Sequence, residues 1–285
     1  VVLSVGDTDR PFYWRSAAKP WQATIAIEAG AGLTDEELAM ASASHGGQPV
    51  HVALVEAMLG GGGASQDDLV CPPDWPLSPA AAHRVDRRQR IYHNCSGKHA
   101  ALLRACAAQG WPLADYAELD HPLQQRSLDL LKEVSGMAVG TVGIDGCGFP
   151  VARTTVLGVA TAFARLAVDE RTRPVATAMH RFACLTSDAG TPEVAIATAL
   201  DAVAKVGAAG LIGVALRGRL GLAVRCWDGN TAAAAVAAIA CLDQLGLVHS
   251  GAQEALSSHA RPPVLGGGKP VGSMEPAGFA GTRET

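Results

Sequence analysis

The stretch LIGVALRGRLGLAVRCW, residues 211–227, decides the fold class. Two β-rich runs, Leu211 to Leu216 and Leu220 to Trp227, meet at Arg217-Gly218-Arg219, a short polar break centred on glycine that predicts a β-hairpin. Around it most of the chain reads as helix, at 17–29, 34–41, 49–59, 96–109, 122–135, 157–168, 173–185, 192–204 and 231–245. Further strand-like runs fall at 1–5, 139–144, 151–156 and 269–274. An antiparallel hairpin set among many helices predicts an α+β architecture.

A chain of 285 residues, 48% hydrophobic and 18% charged, has material for one large domain with a substantial core. The net charge of -4 and a pI near 6.1 provide no basic field for nucleic acid. The basic cluster RVDRRQR, Arg84 to Arg90, is interrupted by Asp86 and reads as a solvated loop. The alanine-rich run Ala232 to Leu245 is hydrophobic, but Asp228, Asn230 and Asp243 keep the apolar stretch too short to span a bilayer. Seven scattered cysteines and no opening signal peptide point to reduced thiols and a cytoplasmic protein. Val1 to Val5 (VVLSV) reads as a strand with neither an upstream hairpin partner nor an initiator methionine, so a preceding strand is expected outside the sequence. The last residues, 277–285, read as a tail behind a single domain over 1–276.

The chemistry concentrates in short stretches. RSAAKPWQ, Arg15 to Gln22, sets Ser16 three residues before Lys19 at the mouth of a predicted helix, so both side chains leave one face of the first turn. A serine hydroxyl is a weak nucleophile, and a neutral lysine can serve as its base. Bringing a lysine from about 10.4 to about 7 costs roughly 4–5 kcal/mol, which burial or a second cation must supply. Tyr13, Trp14 and Trp21 provide dry surroundings. The plain alternative makes Ser16 an N-cap and Lys19 a solvated first-turn residue.

Four other stretches mix reactive side chains with glycine: Ala43-Ser44-His45-Gly46-Gly47, His93-Asn94-Cys95-Ser96-Gly97-Lys98-His99, Asp145-Gly146-Cys147-Gly148 and Lys205-Val206-Gly207-Ala208-Ala209-Gly210. Singly, each has a structural alternative. Ser44-His45 is then a helix cap, Lys205 a dipole partner at the C-terminus of helix 192–204, and Cys95 and Cys147 core thiols. Ser96-Gly97-Lys98-His99 imitates the end of a phosphate loop, but His99 replaces the required Ser/Thr and Tyr92 the leading glycine, which excludes a nucleotide cofactor. Cys95 and Lys98 lie one helical turn apart, so with Cys147 two thiolates and an amine can meet at one zinc ion; a Cys95–Cys147 disulfide is the rival.

In this order the landmarks SAAKP, ASHGG, HNCSGKH, DGCG and KVGAAG resemble the L-asparaginase II family, the Rhizobium-type third class of asparaginases, from about Leu3 to about Ala277. The resemblance implies a serine β-lactamase/glutaminase-like fold, an antiparallel sheet packed with helices, and a homodimer. It implies hydrolysis of L-asparagine to L-aspartate and ammonia by two serine–lysine pairs, Ser16 with Lys19 and Ser44 with Lys205. Ser16 is then the nucleophile and Lys19 its base, although the two serines can exchange roles. His45, Gly46 and Gly207 are assigned to the substrate. Zinc on Cys95, Lys98 and Cys147, with His93 and Asp145 behind the ligands, follows from the same resemblance.

The match departs from the family pattern at Gly47 and Gln48, where serine and glutamate are usual. It departs again at Ala209, where the pattern has glutamate, and along Cys184 to Ala199. Two other readings compete. One is a penicillin-recognising serine hydrolase, for which Ser187-Asp188-Ala189 and Lys205-Val206-Gly207 are poor matches to the expected elements. The other is a catalytically impaired metal-binding homologue that binds amino acids.

Overall fold

The computed structural model describes residues 1–138 and 140–277. A two-residue strand, β1 (Phe12–Tyr13), and a 3-10 turn (Arg15–Ala18) lead into helices α1 (Lys19–Glu28), α2 (Asp35–Ala41) and α3 (Pro49–Gly61). A loop region with the short helix α4 (Pro79–Ala82) precedes α5 (Ser96–Gln109) and α6 (Pro122–Ser135). Strands β2 (Val142–Ile144) and β3 (Pro150–Thr154) are followed by α7 (Val156–Val168), α8 (Arg173–Arg181), α9 (Ala183–Thr186) and α10 (Pro192–Ala199). Strands β4 (Ala202–Gly207), β5 (Leu211–Leu216) and β6 (Leu220–Arg225) form the central meander. Helices α11 (Thr231–Gln244) and α12 (Ser250–Ala260) and the ribbon β7 (Pro263–Gly266) with β8 (Lys269–Ser273) complete the order.

The described strands make three small antiparallel sheets, ordered β1-β3-β2, β4-β5-β6 and β7-β8, so the architecture is α+β. The expected hairpin is the β5–β6 pair, in register from Leu211↔Arg225 to Leu216↔Leu220. All six β5 residues are buried because the meander separates two cores. Val203, Leu211 and Ala215 join the larger cluster, which includes Val159 and Phe163 of α7. Ala202, Ala204, Ile212, Val214 and Leu216 join the smaller one with Ile196, Ala238 and Leu242. Period-two alternation here sorts residues between two cores rather than between core and water.

Several expectations are corrected. The helix read over 192–204 ends at Ala199, and Lys205 lies inside β4, paired with Gly213. Alanine's helix propensity dominates a local reading, but the ladder with β5 prevails. The helix over 173–185 breaks at Phe182, whose backbone (φ -117, ψ 44) is not helical. Residues 1–5 form no strand, and Val1, Val2 and Val5 are exposed. Helix α12 and strand β7 lay outside the expected elements, whereas the strand expected at 269–274 is β8. Val139 and most of the expected tail, 278–285, lie outside the described residues.

Helix α7 rests directly on β6. A Cβ at Gly221 would fall on the backbone of α7, at Ala164 N and Ala160 O, atoms that cannot move without shifting the helix. Overpacking at such a contact costs about 1–3 kcal/mol or more. Gly221→Ala is therefore expected to lower unfolding free energy by at least about 2 kcal/mol in urea titrations. Gly218→Ala, at an open turn position with φ +68, should cost less.

Candidate active site

Four separate elements bring the reactive groups together. Lys19 opens α1, Ser44 lies in the loop between α2 and α3, Lys205 is in β4, and Asn94 precedes α5. Lys19 Nζ donates to Ala43 O at 2.5 Å, Ser44 Oγ at 3.0 Å and Asn94 O at 3.3 Å. Three acceptors use all three protons of an ammonium. Lys205 Nζ lies 2.8 Å from the same Ser44 Oγ and donates to Val206 O at 3.1 Å. Both lysines are buried, Lys205 completely.

Burial, and then the charge of Lys19, lower Lys205 to about 8, against opposing fields from Glu193 and Cys95. Roughly a tenth of the molecules then carry neutral Lys205 at pH 7. In that form Ser44 accepts from Lys19 and donates its own proton to Lys205, so one hydroxyl joins a cation to a base.

The contact expected between Ser16 and Lys19 is not a hydrogen bond here. Among the described residues Ser16 Oγ makes no hydrogen bond, because the carbonyls of Ala43 and Asn94 draw the Lys19 amine toward Ser44. Ser16 instead lines a cavity of about 20 Å³ with Lys19, Cys95, Lys98 and Asp145, room for about one water. The residue before it, Arg15, has φ +48, a left-handed conformation that costs a non-glycine residue about 1–2 kcal/mol. Its guanidinium is held by Asp145, Nε to Oδ1 2.6 Å. Asp145, expected behind metal ligands, thus fixes the turn that presents Ser16.

His45, expected at the substrate, is completely buried. Its Nδ1 accepts from Gly47 N at 3.1 Å, which assigns the proton to Nε2, 2.9 Å from Ser96 Oγ. Burial first, then the charges of His51 and Lys19, hold it well below the usual histidine value. The ring ties the Ser44 loop to the start of α5, a positioning role. At Gly207 a Cβ would crowd the Leu211 side chain at 2.9 Å and Trp14 O at 3.2 Å, so glycine lets β4 approach the turn that carries Ser16. At Gly46 a Cβ would fall on the carboxylate of Asp188.

Cys95, Lys98 and Cys147 do converge. Lys98 Nζ lies 3.1 Å from Cys147 Sγ and 4.2 Å from the centre of the Phe149 ring, and all three side chains are buried. Hydrogen bonding to Cys147, then the charges of Lys19 and Lys98, bring the Cys95 thiol well below its usual value despite burial. For Lys98, burial alone would lower the amine, but Cys147 and Cys95 overcome it and favour the ammonium. Both cysteines are free thiols. His93 Nδ1 accepts from Cys95 N at 3.0 Å and so fixes the backbone of that ligand candidate.

Among the described residues no group of three His, Cys, Asp or Glu side chains gathers for a metal. The available set is two sulfurs and one amine, a soft S/N combination that fits zinc once Lys98 gives up its proton. Sequence reasoning missed His99. It is fully buried and held neutral by burial, with Nδ1 2.7 Å from Tyr116 Oη and Cys147 beside the ring. It also missed the carbonyls of Ala43 and Asn94, which carry no side-chain signal.

The sign of the Lys205 shift gives a stability prediction. Below about pH 8 the lysine is protonated in folded and unfolded chains alike, and the folded state bears the full penalty of the buried charge. Between about 8 and the ordinary value of 10.5 the folded chain holds fewer protons than the unfolded one, so stability rises with pH. Lys205→Met should therefore be more stable than the parent at pH 7, by up to about 3 kcal/mol. Its advantage should shrink toward pH 10 in denaturant titrations; an advantage that does not change with pH would contradict a penalised lysine.

A search of curated proteins finds no match to this chain. The family model described as L-asparaginase II matches residues 1–276. That span contains every side chain of the serine–lysine and cysteine–lysine clusters, and the chain belongs to the L-asparaginase II family.

Proposed function

We propose that this chain hydrolyses the side-chain amide of L-asparagine to L-aspartate and ammonia through a covalent serine intermediate, with residues 1–276 acting as one catalytic domain of serine β-lactamase/glutaminase-like type. Family membership supports an amidohydrolase acting on asparagine. The observation that carries the mechanism is the single hydroxyl of Ser44 set 3.0 Å from Lys19 Nζ and 2.8 Å from Lys205 Nζ.

In this reading Ser16 attacks the amide carbon. Among the described residues its hydroxyl makes no hydrogen bond, and Ser16 lines one cavity together with Lys19. Neutral Lys205 takes the Ser44 proton, Ser44 takes one from Lys19, and Lys19 takes the proton of Ser16 as the C–O bond forms. The proton travels back along the same wire to the departing nitrogen as the C–N bond breaks, releasing ammonia and leaving an ester on Ser16. Water then attacks the ester and the wire accepts its proton; the bond from the acyl carbon to Ser16 breaks as the wire returns that proton to the serine oxygen, and aspartate leaves. Backbone N–H groups are expected to hold the oxyanion.

A second reading, in which Ser44 is itself the nucleophile, is favoured by its being the serine already bonded to a base. Cys95, Lys98 and Cys147 are the residues that would hold zinc. The ion when bound supplies a Lewis acid beside the Ser16 cavity. A homodimer in a reducing, cytoplasmic setting completes the proposal.

Ser16→Ala and Ser44→Ala should each reduce ammonia release from asparagine at least about a thousandfold with unchanged melting curves. Mass spectrometry of quenched turnover should find the ester on the Ser16 peptide. An ester on Ser44 would select the second reading, and full activity in either variant would remove that serine from the mechanism. For the parent, kcat/KM should rise with pH through about 8 as Lys205 loses its proton. Failure to turn over asparagine despite binding it would favour the impaired homologue, and turnover of a chromogenic β-lactam the penicillin-recognising one. Purified protein should carry about one zinc per chain, and Cys147→Ser should lose it by elemental analysis.

A further inference from the structure

Arg225 closes β6 and lies on the sheet face that carries Lys205. The register pairs Lys205 with Gly213 and Gly213 with Ala223, and in the next row of the same face Gly207 with Leu211 and Leu211 with Arg225. Directly opposed residues share a face, and so do residues two apart along a strand. Lys205, Ala223 and Arg225 therefore emerge on one side of the meander. The turn of Ser16 rests on that side, since a Cβ at Gly207 would meet Trp14 O at 3.2 Å. Arg225 reaches back along its row, with Nη1 3.5 Å from the carbonyl of Ala208, the residue after Gly207.

Two further observations make this guanidinium the partner of an anion. Its Nε is sealed from solvent and has no hydrogen-bond acceptor. Asp145 is engaged by Arg15, and among the described residues no carboxylate pairs with Arg225. The group is instead surrounded by like charge and aromatic rings. Its central carbon lies 5.3 Å from the ring centre of Phe12 and 5.5 Å from that of Trp227, and Arg10 stands 4.1 Å over the same Trp227 ring. Burial lowers Arg225 from the usual arginine value, with Cys226 opposing and the charge of Arg15 adding to the fall. An arginine keeps its proton even so, and its donors go on requiring acceptors. With Nη1 turned to Ala208 O, Nε and Nη2 form a two-donor fork, the arrangement that the two oxygens of a planar carboxylate fill.

We propose that Arg225 binds the carboxylate group of a small-molecule anion beside the turn that carries Ser16, with Arg15 and Arg10 supplying the surrounding positive field. The inference goes beyond the amidohydrolase reading and does not depend on it. Arg15 connects the two places, because it lines the cavity of Ser16 and Lys19 and its charge reaches Arg225. A bound carboxylate offsets the repulsion between these two guanidiniums and supplies the acceptor that Nε lacks. Such a group comes from one of two sources, the α-carboxylate of an amino-acid substrate or a separate dicarboxylate.

Calorimetric titration of the full chain with succinamic acid, succinate and succinamide, the last of which has no carboxylate, reads the site without turnover. The parent should bind both carboxylates at least about tenfold more tightly than succinamide. Arg225→Met should remove that preference, and Arg225→Lys, which keeps the charge but loses the fork, should retain only part of it. Arg84→Met, in an exposed loop, should retain all of it. Equal affinities of the parent for the three ligands, a preference that survives Arg225→Met, or binding of inorganic phosphate but of neither carboxylate would overturn the proposal. If Arg225→Met does not fold, Arg225→Lys decides, and an undiminished preference in it overturns the fork. Steady-state kinetics then separate the sources. A KM for asparagine raised at least about tenfold in the Arg225 variant assigns the bound carboxylate to the substrate, whereas loss of succinate binding with KM unmoved assigns it to a separate anion. A parent that binds the carboxylates but releases no ammonia would leave this inference standing and overturn the catalytic one.

Discussion

Two lysine amines share one serine oxygen in the interior of this protein, and the surrounding structure answers the electrostatic problem they create. Each ammonium disfavours protonation of the other, and neither has water to screen it. The conflict is resolved unequally. Lys19 has two backbone carbonyls and Ser44 as acceptors for its amine. Lys205 has Ser44 and one carbonyl, and its proton becomes the easily lost one. Burial, and then the charge of Lys19, lower the Lys205 amine, while the backbone at Ala43, Asn94 and Val206 sets where the two amines sit.

That geometry depends on elements far apart in the chain. β4 holds Lys205 rigidly because it is an edge of the meander that separates the two cores, and Gly207 lets it press against the turn bearing Ser16. The Ser44 loop is held from beneath by buried His45 and from the side by Thr186. The strained Arg15 backbone is maintained by Asp145 across the site. Strain at one residue and two buried charges are tolerated because packed elements on several sides over-determine the arrangement.

Local physics explains which parts of this were legible in the sequence. The β5–β6 hairpin and helices α5 and α6 follow from periodicity and capping alone, and the structure reproduces both helices residue for residue. The Cys95–Lys98 spacing works because both residues lie in or at the first turn of one helix. At Ser16 and Lys19 the same spacing gives no hydrogen bond, since a 3-10 turn passes into an α-helix between them and carbonyls from residues 43 and 94 hold the amine. Lys205 was recognisable as reactive but was placed on the wrong element, because alanine-rich sequence favours helix until a partner strand is known. Glu193 carries no local signal; only the fold brings its charge to bear on Lys205.

The serine–lysine and cysteine–lysine clusters behave as one electrostatic unit. Asn94, whose carbonyl binds Lys19, directly precedes Cys95, and Lys19 of one cluster lines the same cavity as Cys95 and Lys98 of the other. The charge of Lys19 helps bring the Cys95 thiol down, and Cys95 in turn opposes the fall of Lys205. Lys98 is drawn toward the ammonium by the two sulfurs. Signs therefore alternate across the site, and a change in charge at the cysteines alters the protonation of the lysines without any change of contact. A cation on Cys95 and Cys147 would cancel the negative field that now favours protonated Lys205, moving that amine further toward the neutral base.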